Sequence, residues 1–229
     1  MRRIRIHASL LGLGVARLPG ALREAEAAGV DAIHFDLSDG CFTDNLTYGP
    51  WLPADLRGLS HLEFEAHLMV VHPGAYYDEL SRSVSRIYFH AETVEDPRRE
   101  AAAIRNLGVS PGLALSPETP VASISGQLDS VDSVLVMLVK PGRGGQAMDA
   151  SLLDKVSELS AIREREGLGF SIAVDGGVKP GNARLAASRG ADVLISGTGI
   201  FSGDPMRAVE EFRRSIKLVD ERCTRDVAS

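Results

Sequence analysis

The feature that most constrains this chain is a rhythm. Eight short apolar runs recur along its 229 residues: "RIRIHAS" at 3–9, "DAIHFD" at 31–36, "LEFEAHLM" at 62–69, "SRIYFH" at 85–90, "PGLALS" at 111–116, "SVLVMLV" at 133–139, "SIAVDGG" at 171–177 and "ADVLISG" at 191–197. Between them lie segments such as "LPGALREAEAAG", "DPRREAAAIRNLG", "LLDKVSELSAIREREG" and "AVEEFRRSIKLVDERC", whose apolar residues recur at three and four, the period of a helix. Strand, helix and strand in repetition specify parallel pairing with helical crossovers. Eight such units in a chain of this length have the size of an α/β (β/α)8 TIM barrel. An open doubly wound sheet is the alternative that periodicity leaves standing. Weak self-similarity between "EAAGVDAIHF" and "ASRGADVLIS" supports repeated units. No linker or low-complexity segment interrupts the pattern, so residues 1–229 read as a single domain. The longest non-helical connection, 37–61, carries Gly49, Pro50 and Pro53 and reads as a structured loop.

Composition narrows the partners. A formal net charge of -6 offers no basic footprint for nucleic acid. No apolar run approaches the roughly 18 to 20 residues that span a bilayer, and "MRRIRIHASLL" enters a strand rather than a signal-peptide core. Cys41 and Cys223 have no metal-type spacing and no reason to pair, which fits a reducing compartment. A cytoplasmic homo-oligomer without nucleic-acid or membrane partners is expected.

The polar residues are unusual for core strands. In "DAIHFDLSDG", Ile33, Phe35 and Leu37 share one face, and His34, Asp36 and Ser38 share the other. Ser9, His34, Asp36, His67, His90 and Asp175 all fall near the carboxyl ends of strands, which in a barrel converge on one mouth. Any one of them alone is ordinary: a strand-end His is commonly a hydrogen-bonded core residue, and Asp175 before two glycines suits a turn. Together, His34, Asp36, His67 and Asp175 make a four-ligand N/O set for one divalent metal, with zinc, iron, manganese and cobalt all suited. A cation also removes the cost of burying two carboxylates side by side.

Glycines mark a second feature. "PGRGGQ", "DGGV" and "SGTG" place Gly142, Gly144, Gly145, Gly176, Gly177, Gly197 and Thr198 on the loops after strands six, seven and eight. Backbone N–H groups at such turns form anion cradles, and the last two loops are the usual barrel location for phosphate.

In these residues the sequence resembles the ribulose-phosphate 3-epimerase family, from Ile6 to about Ile216. The matching motifs are "ASLL", "IHFDLSDG", "NLTYGP", "AHLMV", "HAE", "SPETP", "MLVKPGRGGQ", "VDGGV" and "SGTGIF", in that order. The resemblance implies a (β/α)8 barrel, a metal held by His34, Asp36, His67 and Asp175, and reversible inversion at C3 of a sugar phosphate, D-ribulose 5-phosphate to D-xylulose 5-phosphate. It implies Asp36 and Asp175 as catalytic acid and base. Ser9, His67, Met69 and Met137 join the glycine loops as substrate-binding residues. The chemistry agrees, because inverting a carbon beside a carbonyl needs two acid/base groups flanking an enediolate, and a metal to stabilise its oxygens.

Departures from the family pattern bear on the substrate. Ser38 replaces a usual Met, Ala8 a Pro, Cys41 a His and Arg143 a Phe, and Lys140 is also atypical. Ser38 is expected to open space beside the enediolate, and Arg143 to reach the phosphate. "SPETPV" and "LLDKVSELSAIREREGL" look closer to the allulose-6-phosphate 3-epimerase branch. A non-catalytic sugar-phosphate binder is the alternative of another class. A related barrel group that decarboxylates or condenses sugar phosphates uses a strand-end Lys, and none stands in this set.

Overall fold

A computed structural model describes residues 3–226 of the chain. Eight parallel strands close into a barrel in sequence order: β1 Arg5–Ser9, β2 Ala32–Ser38, β3 Glu63–Met69, β4 Arg86–His90, β5 Ser110–Leu115, β6 Ser133–Met137, β7 Ser171–Asp175 and β8 Val193–Ser196. Closure through β1 and β8, with Arg5 opposite Val193 and Ala8 opposite Ser196, excludes the open sheet. The helices are α1 Leu18–Ala28, α2 Trp51–Leu56, α3 Tyr77–Leu80, α4 Pro97–Asn106, α5 Leu153–Glu166, α6 Pro180–Ser188, α7 Thr198–Phe201 and α8 Pro205–Asp226. The β5–β6 crossover is made instead by two 3-10 turns, Val121–Ser123 and Ser125–Ser130.

The 37–61 connection is not wholly irregular. It contains α2, followed by a 3-10 turn, Arg57–Leu59. Pro50 and Pro53 mask this helix from pattern reading, yet both sit where they cost nothing. Pro50 caps α2, Pro53 is its third residue, and the first N–H groups of a helix have no intrahelical acceptor to lose.

Strand alternation sorts the side chains into two environments. Ile33, Phe35 and Leu37 on β2, with Phe64, Ala66 and Leu68 on β3, face the helices and join a continuous apolar shell that includes Leu22, Ile104, Val156 and Phe212. The opposite faces point into the barrel. There a small apolar plug of Leu135, Ala173, Val193 and Ile195 shares the interior with buried His7, His34, Glu65, His67 and His90. Cys41 is exposed with a free thiol, and Cys223 lies outside the residues whose side chains are described. Among the described residues no helix is long and apolar enough to cross a membrane.

Candidate metal centre and active site

Register brings the acidic and imidazole groups together. Ser9 on β1 pairs with His34 on β2, and Asp36 on β2 pairs with His67 on β3. Asp175, the last residue of β7, pairs with Met137 on β6 and Ile195 on β8. One ligand atom from each of His34, Asp36, His67 and Asp175 lies within 4.8 Å of the others. His34, Asp36 and His67 are fully buried, whereas Asp175 is half-buried at the mouth.

Each buried group is fixed from behind. Glu65 Oε1 stands 2.7 Å from His34 Nδ1 and 2.8 Å from His7 Nδ1. With Nδ1 engaged there, His34 Nε2 is buried without a hydrogen-bond partner, 3.4 Å from Asp36 Oδ1. A buried ring nitrogen left bare beside a carboxylate is what a metal ligand looks like before its ion is considered. Ser9 Oγ donates to Asp36 Oδ2 over 2.7 Å, and His67 Nδ1 faces Asp36 Oδ1 at 3.0 Å. Thr47 Oγ1 donates to the Asp36 carbonyl at 2.9 Å and anchors the strand end.

Electrostatics separate the two carboxylates. Burial works against an ionised Asp36, but His34 and His67 outweigh it and hold the carboxyl well below its ordinary range. Burial raises Asp175, and the Asp36 charge raises it further, to about 7. Burial likewise disfavours a charged His34, yet Asp36 and Glu65 together draw positive charge to that ring. Burial pushes His67 down to about 4 despite Asp36, so it is the neutral, metal-binding form at pH 7. A site that gathers anionic oxygens and neutral imidazole nitrogen around one point fits a divalent cation.

Above these groups a cleft opens at the mouth of the barrel. Its floor is Ser9, Asp36, Asp175, Met69 and Met137, and its far wall is Gly142, Gly144, Gly145, Gly176, Gly177, Gly197 and Thr198. Thus every substrate residue expected from the sequence lines it except His67, whose ring nitrogens face Asp36 and His90. The wall is assembled at backbone distance. Gly177 has φ +66°, and a Cβ there would fall 2.3 Å from Met148 N, so only glycine lets the β7 and β6 loops meet. Gly142, at φ +104°, similarly leaves no room for a Cβ against Thr43.

Ser38 differs from expectation. It does not line this cavity. Its hydroxyl is spent on the following loop, donating to the Asn45 carbonyl at 2.6 Å and meeting Thr43 Oγ1 at 2.5 Å. A short side chain with a hydroxyl folds back onto nearby backbone where a thioether would project. Asn45 Nδ2 then donates to the Gly142 carbonyl at 2.7 Å, tying this loop to the glycine wall. Arg143 is exposed at the cavity rim. The supporting residues Glu65 and His7 went unnoticed in the sequence, although Glu65 precedes His67 by two and so shares its strand face.

Comparison with known proteins agrees with this geometry. Residues 5–201 match the model of the ribulose-phosphate 3 epimerase family. The chain is 41% identical over 196 residues to ribulose-phosphate 3-epimerase of Treponema pallidum, covering 85% of this chain and 90% of that protein. It is 34% identical over 215 residues to the Bacillus subtilis protein of the same name, covering 93% and 99%. Among solved structures, KGPDC from Streptococcus mutans in complex with D-R5P superposes with a TM-score of 0.72 at 16% identity, covering 94% of this chain and 98% of that one, a likeness of fold. With relatives this similar along nearly their whole length, and with the motif residues gathered around one cavity, the chain is an isomerase that belongs to the ribulose-phosphate 3-epimerase family.

Proposed function

We propose that this protein inverts C3 of a phosphorylated ketose, interconverting D-ribulose 5-phosphate and D-xylulose 5-phosphate, at a centre where His34, Asp36, His67 and Asp175 hold one divalent ion. The observation that carries the reading is the pair of carboxylates pushed apart in acidity at the floor of one cavity: Asp36 well below its ordinary range, Asp175 raised to about 7. Asp36 stands ionised, ready to accept the C3 proton on one face of the substrate. Asp175, its carboxyl raised to about 7, exchanges its proton near neutral pH and can deliver one to the opposite face. In the reverse direction the roles exchange, so each turnover returns the pair to the state from which the other epimer starts. When bound, the ion would neutralise the oxygens of the enediolate that forms between the two transfers. Ser9 holds Asp36 through Oδ2, which leaves Oδ1 directed at the ligand cluster. Met69 and Met137 keep water from the reacting carbon with soft apolar surface. The Gly176, Gly177, Gly197 and Thr198 loops take the phosphate, and Arg143 reaches it from the rim.

The test is an epimerisation assay with zinc-, manganese-, iron- and cobalt-loaded protein on five- and six-carbon ketose phosphates. Turnover fastest with ribulose 5-phosphate and abolished by chelation supports the reading. A preference for the six-carbon substrate would move it to the allulose-6-phosphate branch. Ligand binding without any C3 proton exchange would make the protein a sugar-phosphate binder.

A further inference from the structure

Behind His67, on the side away from the cavity, lie His90 and Glu92. His90 is fully buried, and its Nε2 stands 2.9 Å from His67 Nε2, with the two rings stacked at 30°. Two ring nitrogens at that distance require one proton between them, and the far side of His90 decides which ring carries it. His90 Nδ1 is 2.8 Å from Glu92 Oε2. The other oxygen, Oε1, already accepts from the Ser116 backbone N–H at 2.9 Å and from the Thr119 hydroxyl. Burial disfavours the Glu92 anion, but these donors and His90 hold its carboxyl down to about 2, so it can only accept.

A carboxylate facing His90 Nδ1 places the proton of the neutral ring on that nitrogen. His90 Nε2 is then the acceptor and His67 Nε2 the donor. The remaining nitrogen of His67, Nδ1, keeps its lone pair and faces Asp36 Oδ1 at 3.0 Å. Two acceptors that close repel each other unless a cation lies within reach of both. The Ser116 hydroxyl, 3.3 Å from His90 Nδ1, shares that N–H without changing its sense, and the Phe42 ring against His90 keeps the imidazole plane in place.

We propose that Glu92 and His90 are positioning residues that lock His67 in its Nε2–H tautomer, so that Nδ1 is the atom it presents to the divalent ion. Neither lines the cavity, and neither touches the substrate. The inference rests on the four-residue cluster being a metal centre.

Glu92→Gln reverses the chain without changing its shape. Ser116 N–H and Thr119 O–H keep the amide oxygen on their side, so the amide NH₂ turns toward His90 Nδ1 and makes that nitrogen an acceptor. His90 Nε2 then carries the proton, His67 Nε2 accepts it, and His67 Nδ1–H points at the ion. Thr119→Val loosens the same carboxylate but leaves its charge and its acceptor role.

The experiment titrates zinc into metal-free full-length protein in competition with a chromogenic chelator, and reads the ring nitrogens of the zinc-loaded wild type by long-range ¹H–¹⁵N correlation. The expected result is a ~10- to 100-fold loss of zinc affinity in Glu92→Gln, the size seen when partners behind a metal ligand are removed, and a change within about threefold in Thr119→Val. In the wild type, His67 should show a metal-bound Nδ1 and a protonated Nε2. A metal-bound Nε2, unchanged affinity in Glu92→Gln, or an equal loss in Thr119→Val would each overturn the lock while leaving the metal centre standing. Wild-type protein that takes up no zinc or other divalent ion would overturn both. Because the wild-type spectrum is decisive alone, a Glu92→Gln variant that failed to fold would not shelter the proposal.

Discussion

On the β2–β4 side of the barrel mouth, the proposed functional groups are side chains braced by other side chains: His34 by Glu65, Asp36 by Ser9, His67 by His90. On the β6–β8 side, Asp175 apart, they are backbone at glycine turns, braced by the near-contact of one loop with the next. The first side has its geometry set by strand register and buried hydrogen bonds. The second has it set by the absence of Cβ atoms. Losses on the first side should therefore appear in metal content and proton transfer, and losses on the second in affinity for the phosphate.

The largest expected effect strikes the acid/base pair. Asp36→Asn and Asp175→Asn should each lower kcat by ~10²- to 10⁴-fold, the usual worth of a positioned acid or base. Deuterium wash-in at C3, followed separately from each epimer in heavy water with metal content measured alongside, should fail for opposite epimers in the two variants. Metal-replete variants that exchange both epimers equally would contradict the two-carboxylate mechanism. Next comes Glu65→Gln, which weakens the anionic brace of His34. Metal affinity should fall by ~10- to 100-fold, with KM unchanged once metal is saturating; elemental analysis after dialysis checks it. On the opposite side, Gly177→Ala forces a Cβ into φ +66° and against Met148 N. The strain should cost about 1–3 kcal/mol and lower Tm by several degrees, raising KM while metal content stays stoichiometric. A fall in bound metal would break the division between the two sides. The smallest effect belongs to Arg143→Ala, an exposed charge at the rim, where KM should rise about threefold to tenfold with kcat held, since exposed ionic contacts are screened. An unchanged KM would assign Arg143 to solvent alone.

Much of this was legible in the sequence, for a physical reason. Parallel strands covered by helices need apolar runs at regular spacing, so all eight strands could be placed to within a few residues. His34, Asp36, His67 and Asp175 could be singled out because charged side chains are costly inside a strand unless something pairs with them. The exceptions are equally instructive. Helix α2 was hidden because its prolines sit at positions where a helix tolerates them, and pattern reading penalises proline anywhere. Analogy with the side chain it replaces puts Ser38 in the pocket, whereas its hydroxyl finds a nearer partner in the Asn45 carbonyl. Glu65 shares the strand face of His67 and was open to inference, whereas Glu92 lies past the end of β4, where the sequence gives no sign of whether a carboxylate faces water or a buried imidazole.

The main apolar shell lies outside the sheet, between strands and helices, while the barrel interior carries Glu65, His7, His34 and Arg86 among a few apolar residues. Cohesion and chemistry are thus housed in separate compartments of one scaffold. An inward-pointing residue acts on the ligand and on its buried partners, whereas the seam that keeps helices on strands is made by the outward-pointing set. Such a partition gives lineages freedom to diverge in reactivity long before they lose their shape. For an engineer, the same partition marks the inward layer below Asp36 as a set to be exchanged together, since Glu65 is shared by His7, His34 and Arg86 and removing one partner strands the others in the interior.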